Sequence, residues 1–296
     1  MRWEGNRESD NVEDRRGEGG DGGGGFRFGG IHLGIGGVLI VLIGSWLFGV
    51  NPMTVLGLLN GDTSAPPAAQ VSAQVSGQAP PASEPLANFV RTILASTEDV
   101  WGEIFQQAGR TYERPHLVLF RDAIQTACGD GQAAMGPFYC PQDRRVYIDL
   151  GFYQTLRDQL GAPGDSAQAY VIAHEVGHHV QNLLGVSAKV DAMRAQESRV
   201  QANATSVRVE LQADCYAGVW AFHSQEQKHW FEDNDIPLVL NAASHICDEA
   251  LQNMSQGRVV PESFTHGTSV QRVNWFKRGY ANGRVKDCDT FNAATL

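Results

Sequence analysis

His174 and His178 stand four residues apart in an otherwise apolar run, Tyr170-Val-Ile-Ala-His-Glu-Val-Gly-His-His-Val180. A helix sets residues i and i+4 one turn apart on a single face, so both imidazoles can converge on one divalent cation. Glu175 projects beside that pair. It is placed to take a proton from water at the metal rather than to bind the metal itself. Gly177 costs a helix about 1 kcal/mol relative to alanine, so its place between the histidines implies a close neighbour or access for a ligand. The breaker Gly161-Ala-Pro-Gly164 precedes this helix, with Asp165 or Ser166 to cap it, and Gly185 stops it near Leu184.

Two imidazoles need a third ligand from elsewhere in the chain. Glu210-Leu-Gln-Ala-Asp214 offers two carboxylates at i,i+4 on a helix expected over Thr205–Phe222. The surrounding residues (Val207, Val209, Leu211, Ala213, Cys215, Ala217) are apolar, and acids placed among them are costly unless engaged. Glu210 can complete a His₂Glu zinc site with the fourth position left for water. Asp214 can accept the spare ring N–H of a histidine, His174 above all. His179, at i,i+5, points elsewhere and reads as a neighbour of the site. His223, His229 and His245 lack spaced partners and read as surface or core residues. His266 lies in the loop Phe264-Thr-His-Gly-Thr268 before a final helix that Thr268 or Ser269 can cap. It is the candidate donor to the oxyanion of a tetrahedral intermediate, a role worth ~3–4 kcal/mol. Tyr280 and Arg272 are weaker candidates, and Arg272 reads equally well as a structural ion-pair residue.

Hydrophobic spacing predicts helices over Ala87–Gln107, Phe152–Leu160, roughly Leu238–Met254 and Ser269–Tyr280. Strands are expected at Pro115–Phe120 and Arg145–Leu150. Few strands followed by several helices indicate an α+β fold. Arg145–Leu150 is read as the edge strand along which an extended peptide could lie.

The N-terminal part has a different character. Residues 1–30 are polar and glycine-rich and read as a flexible cytoplasmic tail. Ile31–Val50 carries only His32 and Ser45 as polar side chains, and ~20 such residues in a helix span a bilayer's hydrocarbon core. It is read as an uncleaved transmembrane helix in the cell membrane. Arg15, Arg16 and Arg27 precede it and no Lys or Arg follows before Arg91, which places the N-terminus in the cytoplasm and the rest outside. Residues 51–85, rich in Ala, Pro, Ser and Gln, read as an extended linker, and residues 86–296 as a single domain. The net charge of −10 provides no basic excess for phosphates, so nucleic acid is excluded as a partner. The expected partners are a peptide or protein substrate and, through the N-terminal helix, the lipid bilayer.

Cys128 and Cys140 flank a short loop and can pair locally. Cys215, Cys247 and Cys288 leave more than one pairing open. These residues together support peptide-bond hydrolysis, with Glu175 as general base to a zinc-activated water. The alternative is a membrane-tethered binding or scaffold protein with a structural or vestigial zinc site, which would have no use for Glu175.

In combination the motifs resemble the bacterial putative neutral zinc metallopeptidases (the YpfJ-like family). The resemblance runs through Ser9-Asp-Asn-Val-Glu-Asp-Arg-Arg16, Phe138-Tyr-Cys-Pro141, Val146-Tyr-Ile-Asp149, His174-Glu-Val-Gly-His-His-Val-Gln181, Glu210-Leu-Gln-Ala-Asp-Cys215, Ser255-Gln-Gly-Arg-Val-Val-Pro261 and Phe264-Thr-His-Gly-Thr268. It implies a zincin-like fold, a membrane-anchored peptidase, His174, His178 and Glu210 as zinc ligands in a gluzincin-like arrangement, and Glu175 as catalytic base. It also favours pairing Cys215 with Cys288.

Overall fold

A computed structural model of the chain describes residues 1–17, 84–132, 136–247 and 264–296. In chain order the elements are β1 (Val12–Asp14), α1 (Pro85–Gln107), β2 (His116–Phe120), β3 (Ala123–Thr126), β4 (Gly129–Gln132), β5 (Phe138–Cys140), β6 (Arg145–Asp149), α2 (Phe152–Asp158) and α3 (Asp165–Leu183). They continue with α4 (Val186–Arg194), α5 (Arg199–Lys228), α6 (Asp235–His245), α7 (Ser269–Tyr280) and a 3₁₀ turn at Val285–Cys288. The expected α+β character holds.

The main sheet has the order β1-β2-β6-β5, with β1, β2 and β6 parallel and β5 antiparallel to β6. Its central strands read as continuous apolar runs because both faces are covered: Leu117, Val118, Leu119, Val146 and Ile148 are fully buried. One correction concerns the edge. Arg145–Leu150, expected there, gives the interior strand β6, and among the described residues the edges are the three-residue strands β1 and β5. A strand that short shows too little alternation to be recognised in sequence. A hairpin, β3–β4, carries Cys128 at its turn, and the Cys128–Cys140 disulfide ties it to the end of β5.

The helices form the other layer, with Trp101, Trp220, Trp230, Tyr170 and Phe276 among the largest fully buried side chains. The helix expected over Thr205–Phe222 is longer, because Ser198 caps it in a reciprocal capping box with Gln201. Thr268 caps α7 in the same way with Gln271. Neither Asp165 nor Ser166 caps α3; Gly164, at φ 100°, precedes its first turn. α5 and α7 cross through two glycines. A Cβ on Gly279 would sit 1.9 Å from the Cys215 carbonyl oxygen, and one on Gly218 would sit 2.1 Å from that of Phe276. Cys215 and Cys288 are disulfide-bonded, and Cys247 is buried.

The first seventeen residues differ from the flexible tail expected of them. β1 pairs in parallel with β2, Val12 opposite Leu117, and Val12 and Ser9 are buried. The carboxylate of Glu98 on α1, 1% exposed, accepts hydrogen bonds from Ser9 Oγ at 2.6 Å, Asn11 Nδ2 at 2.7 Å and Arg7 Nη2 at 3.0 Å. Trp3 packs edge-on against Phe89 and donates from its indole to Asp165 at the start of α3. A polar composition conceals these contacts, because ion pairs and hydrogen bonds fix the segment rather than an apolar face. Among the described residues no helix is long and apolar enough to cross a membrane. The run Ile31–Val50 and the linker up to residue 83 lie outside them.

Candidate metal centre

α3 and α5 approach closely because Gly177 has no side chain: a Cβ there would lie 3.0 Å from the carbonyl oxygen of Ala213. That approach brings Glu210 to the two histidines of α3. Glu210 Oε2 lies 3.2 Å from His174 Nε2, and its Oε1 lies 3.5 Å from His178 Nε2. One ligand atom from each of the three residues falls within 4.8 Å of the others. The imidazoles meet nearly at right angles, with centroids 4.8 Å apart.

The outer ring nitrogens are fixed from behind. His174 Nδ1 lies 2.9 Å from Asp214 Oδ1, so Nδ1–H donates to the carboxylate and Nε2 is the nitrogen left to face the centre. His178 Nδ1 lies 2.9 Å from Gln181 Oε1. The orientation of that amide follows from its nitrogen, which donates to the Val209 carbonyl at 2.8 Å and to Gln212 Oε1 at 3.1 Å. Hydrogen bonding thus turns both Nε2 atoms inward. Two imidazoles and a carboxylate, open on one side, match the donor set of a hydrolytic zinc site.

Asp214 is fully buried. Arg272 on α7 binds it through Nε and Nη2, each at 2.8 Å, and Tyr170 donates its hydroxyl to the same carboxylate. Arg272 also donates to the Ile246 carbonyl and lies 3.1 Å from the Tyr170 hydroxyl. With its donors so engaged, Arg272 is the ion-pair residue rather than an oxyanion donor. Tyr280 stacks on Phe276 and does not line the cleft.

The electrostatics reflect a site made for a cation. Burial disfavours a charged His174, but Asp214 and Glu210 outweigh it and raise the imidazole to about 10 without metal. Burial likewise opposes charge on His178, and Glu210 raises it in spite of that. Burial pushes Glu210 up, yet the two imidazoles hold it well below the usual carboxylate range. Burial raises the Glu175 carboxyl, with His178 and His174 acting against it. Glu175 is 7% exposed.

The centre opens into a cleft of about 540 Å³. Glu175, Tyr139 of β5, Val190 of α4, Val209, Arg272 and His266 are among its lining residues. The cleft therefore brings every expected site residue together except Asp214, which lies behind His174. His179 faces away, as expected. Its Nε2 donates to the Glu113 carbonyl at 2.6 Å, and its Nδ1 meets the Tyr139 hydroxyl at 3.1 Å, which fastens β5 to α3. Burial lowers His179 to about 4, so it is neutral. His223 bonds the Gly283 carbonyl and His245 the Asn241 carbonyl, neither in the cleft. Two contributors went unread in the sequence, Gln181 and Tyr170. Gln181 follows His178 by three residues, so helical spacing alone sets them side by side.

The family described as "Putative neutral zinc metallopeptidase" matches residues 1–291. The chain is 51% identical over 297 residues to the uncharacterized protein YpfJ of Escherichia coli K12, covering 98% of this chain and 99% of that one. It is 42% identical over 218 residues to the uncharacterized protein Rv2575 of Mycobacterium tuberculosis H37Rv, covering 70% of this chain and 73% of the relative. No solved structure matches the chain.

Proposed function

Because the chain belongs to the putative neutral zinc metallopeptidases, a family whose cofactor is zinc, we propose that it hydrolyses peptide bonds with His174, His178 and Glu210 as the zinc ligands. The convergence of two outward-braced imidazoles and the partly buried Glu210 carboxylate, with Glu175 beside them, carries this reading. A zinc ion held there supplies a positive charge that polarises the substrate carbonyl and makes water nucleophilic near neutral pH. Glu175 takes the proton of the attacking water and passes it to the departing amine, a role suited to a carboxyl raised by burial. His266 donates to the carbonyl oxygen as negative charge develops. Asp214 and Gln181 hold the two imidazoles in the required tautomer.

The substrate lies extended along β5, which pairs with β6 on one side only and contributes Tyr139 to the cleft. Backbone pairing supplies affinity and the cleft's side chains supply selectivity. Cys128–Cys140 and Cys215–Cys288 suit an oxidising compartment, so the domain works outside the cytoplasm. The apolar run Ile31–Val50 keeps it at the membrane.

The test is the Glu175→Gln variant of the full chain, assayed with a complex peptide library and by elemental analysis. Retained zinc with lost cleavage is expected. Wild-type cleavage by this variant would overturn the role of Glu175. Stoichiometric zinc in the wild type without chelator-sensitive cleavage would favour a structural metal site.

A further inference from the structure

Both ends of the stretch that holds the apolar run are fastened to one body. Before it, Asn11 accepts from the Leu117 amide at 2.8 Å, and Arg15 donates from its own amide to the Leu119 carbonyl at 2.8 Å. Glu13 pairs with Arg145 of β6 at 2.9 Å. Ser9, Asn11 and Arg7 together satisfy the buried Glu98 carboxylate. Arg16 then binds Glu84 in a two-pronged pair, at 2.5 and 2.7 Å. Residues 1–19 and 77–296 belong to one compact unit. Arg16 and Glu84, the two flanks of that stretch, therefore stand side by side.

One crossing of a bilayer between those points would put a hydrocarbon core of ~30 Å between groups in direct hydrogen-bond contact. It would strip Glu98 of three donors and leave the buried side of β2 without its neighbour. A second copy inserted the same way could not supply the missing strand, because its own N-terminus would face the same barrier. Two crossings do not fit either. The apolar run Ile31–Val50 is half the ~40 residues that two helical spans require.

We infer that Met1–Gly17 and residues 84–296 occupy the same compartment, on one side of any membrane the protein meets. The two halves of the structure that hydropathy and the distribution of arginines assign to opposite sides are one folded domain. The first seventeen residues are then a structural part of it, not a cytoplasmic tail. The inference stands on the contacts of the N-terminal segment and is independent of the catalytic reading.

Two variants of the full chain, each with one added cysteine, test it in spheroplasts: Asp10→Cys in the N-terminal segment and Gln106→Cys on α1, both at exposed positions. A membrane-impermeant maleimide is applied before and after lysis. The parent chain serves as background, since Cys247, the cysteine outside the two disulfides, is fully buried. Equal labelling of both variants in intact spheroplasts is the expected result. Labelling of both only after lysis also supports a shared compartment, while refuting the extracytoplasmic location. Labelling of Gln106→Cys in intact spheroplasts with Asp10→Cys reactive only after lysis would overturn the inference. Thermal unfolding of each variant at the parent's midpoint verifies that the domain is folded.

Discussion

Replacing Arg272 with methionine tests how the carboxylate behind the metal centre is sustained. Asp214 has no exposure to water and meets Arg272 at two points, both at 2.8 Å. Methionine fills much of the same volume but leaves the carboxylate with only Tyr170 and His174 as hydrogen-bond partners. Removing one member of a buried, hydrogen-bonded ion pair costs about 3–5 kcal/mol. At roughly 2–4 °C per kcal/mol for a domain of this size, the melting temperature of zinc-free protein should fall by about 6–20 °C. A carboxylate relieved of its guanidinium also takes up a proton more readily and then braces His174 poorly, so zinc affinity should drop about 10–100-fold. Adding Asp214→Asn removes the unbalanced charge. The double variant should recover most of the thermal loss yet bind zinc more weakly than wild type, because a neutral amide is the poorer acceptor. Scanning calorimetry and chelator competition measure the two quantities separately. Arg272→Met protein that melts with the wild type and holds zinc as tightly would show that the pair does not sustain the centre.

Gly279→Ala should destabilise the domain by about 1–3 kcal/mol in urea unfolding, since the new methyl group would meet the Cys215 carbonyl at 1.9 Å and force α5 and α7 apart. Gln181→Leu should weaken zinc binding about 10-fold or more in chelator competition by removing the acceptor on His178, whereas Gln181→Glu, which restores one, should not. Zinc uptake near neutral pH should release protons, because His174 in the metal-free site is raised to about 10 and must give up its Nε2 proton to bind the metal. Calorimetry in buffers of different ionisation enthalpy reads that proton directly. The same shift fixes a stability trend: the raised imidazolium stabilises metal-free protein fully below pH 6.5, and this contribution is lost as pH climbs through about 10. Zinc-loaded protein should not share that decline.

Much of the centre was legible because helical spacing is rigid. His174 and His178 on one helix, and Glu210 and Asp214 on another, fix their relative directions before any tertiary contact is known. Apolar neighbours around two acids signalled that those acids had partners. What spacing could not provide was long-range pairing. Arg272 reads the same in sequence whether it faces Asp214 or water, and three residues of β5 carry no periodicity that marks an edge strand. α4 was overlooked because Gly185, in a left-handed conformation at φ 81°, ends one helix and starts the next without an intervening loop. The N-terminal segment misled most. Its acids, arginines and glycines have the composition of a solvated tail, yet Ser9, Asn11 and Arg7 are specified by a single carboxylate about ninety positions downstream. Its place in the fold was visible only in the family-like run Ser9–Arg16, as a pattern without a stated reason.

The parallel pairing of β1 with β2 bears on the order of events during synthesis. Val12 leaves the ribosome long before Leu117, the residue opposite it. At about 5–20 residues per second the first strand waits roughly 5–20 s for its mate. The earliest part of the nascent protein is therefore among the last to settle, and the sheet closes only when the translated chain has passed β2. Any chaperone or translocation machinery that handles this polypeptide must keep its leading end free until then.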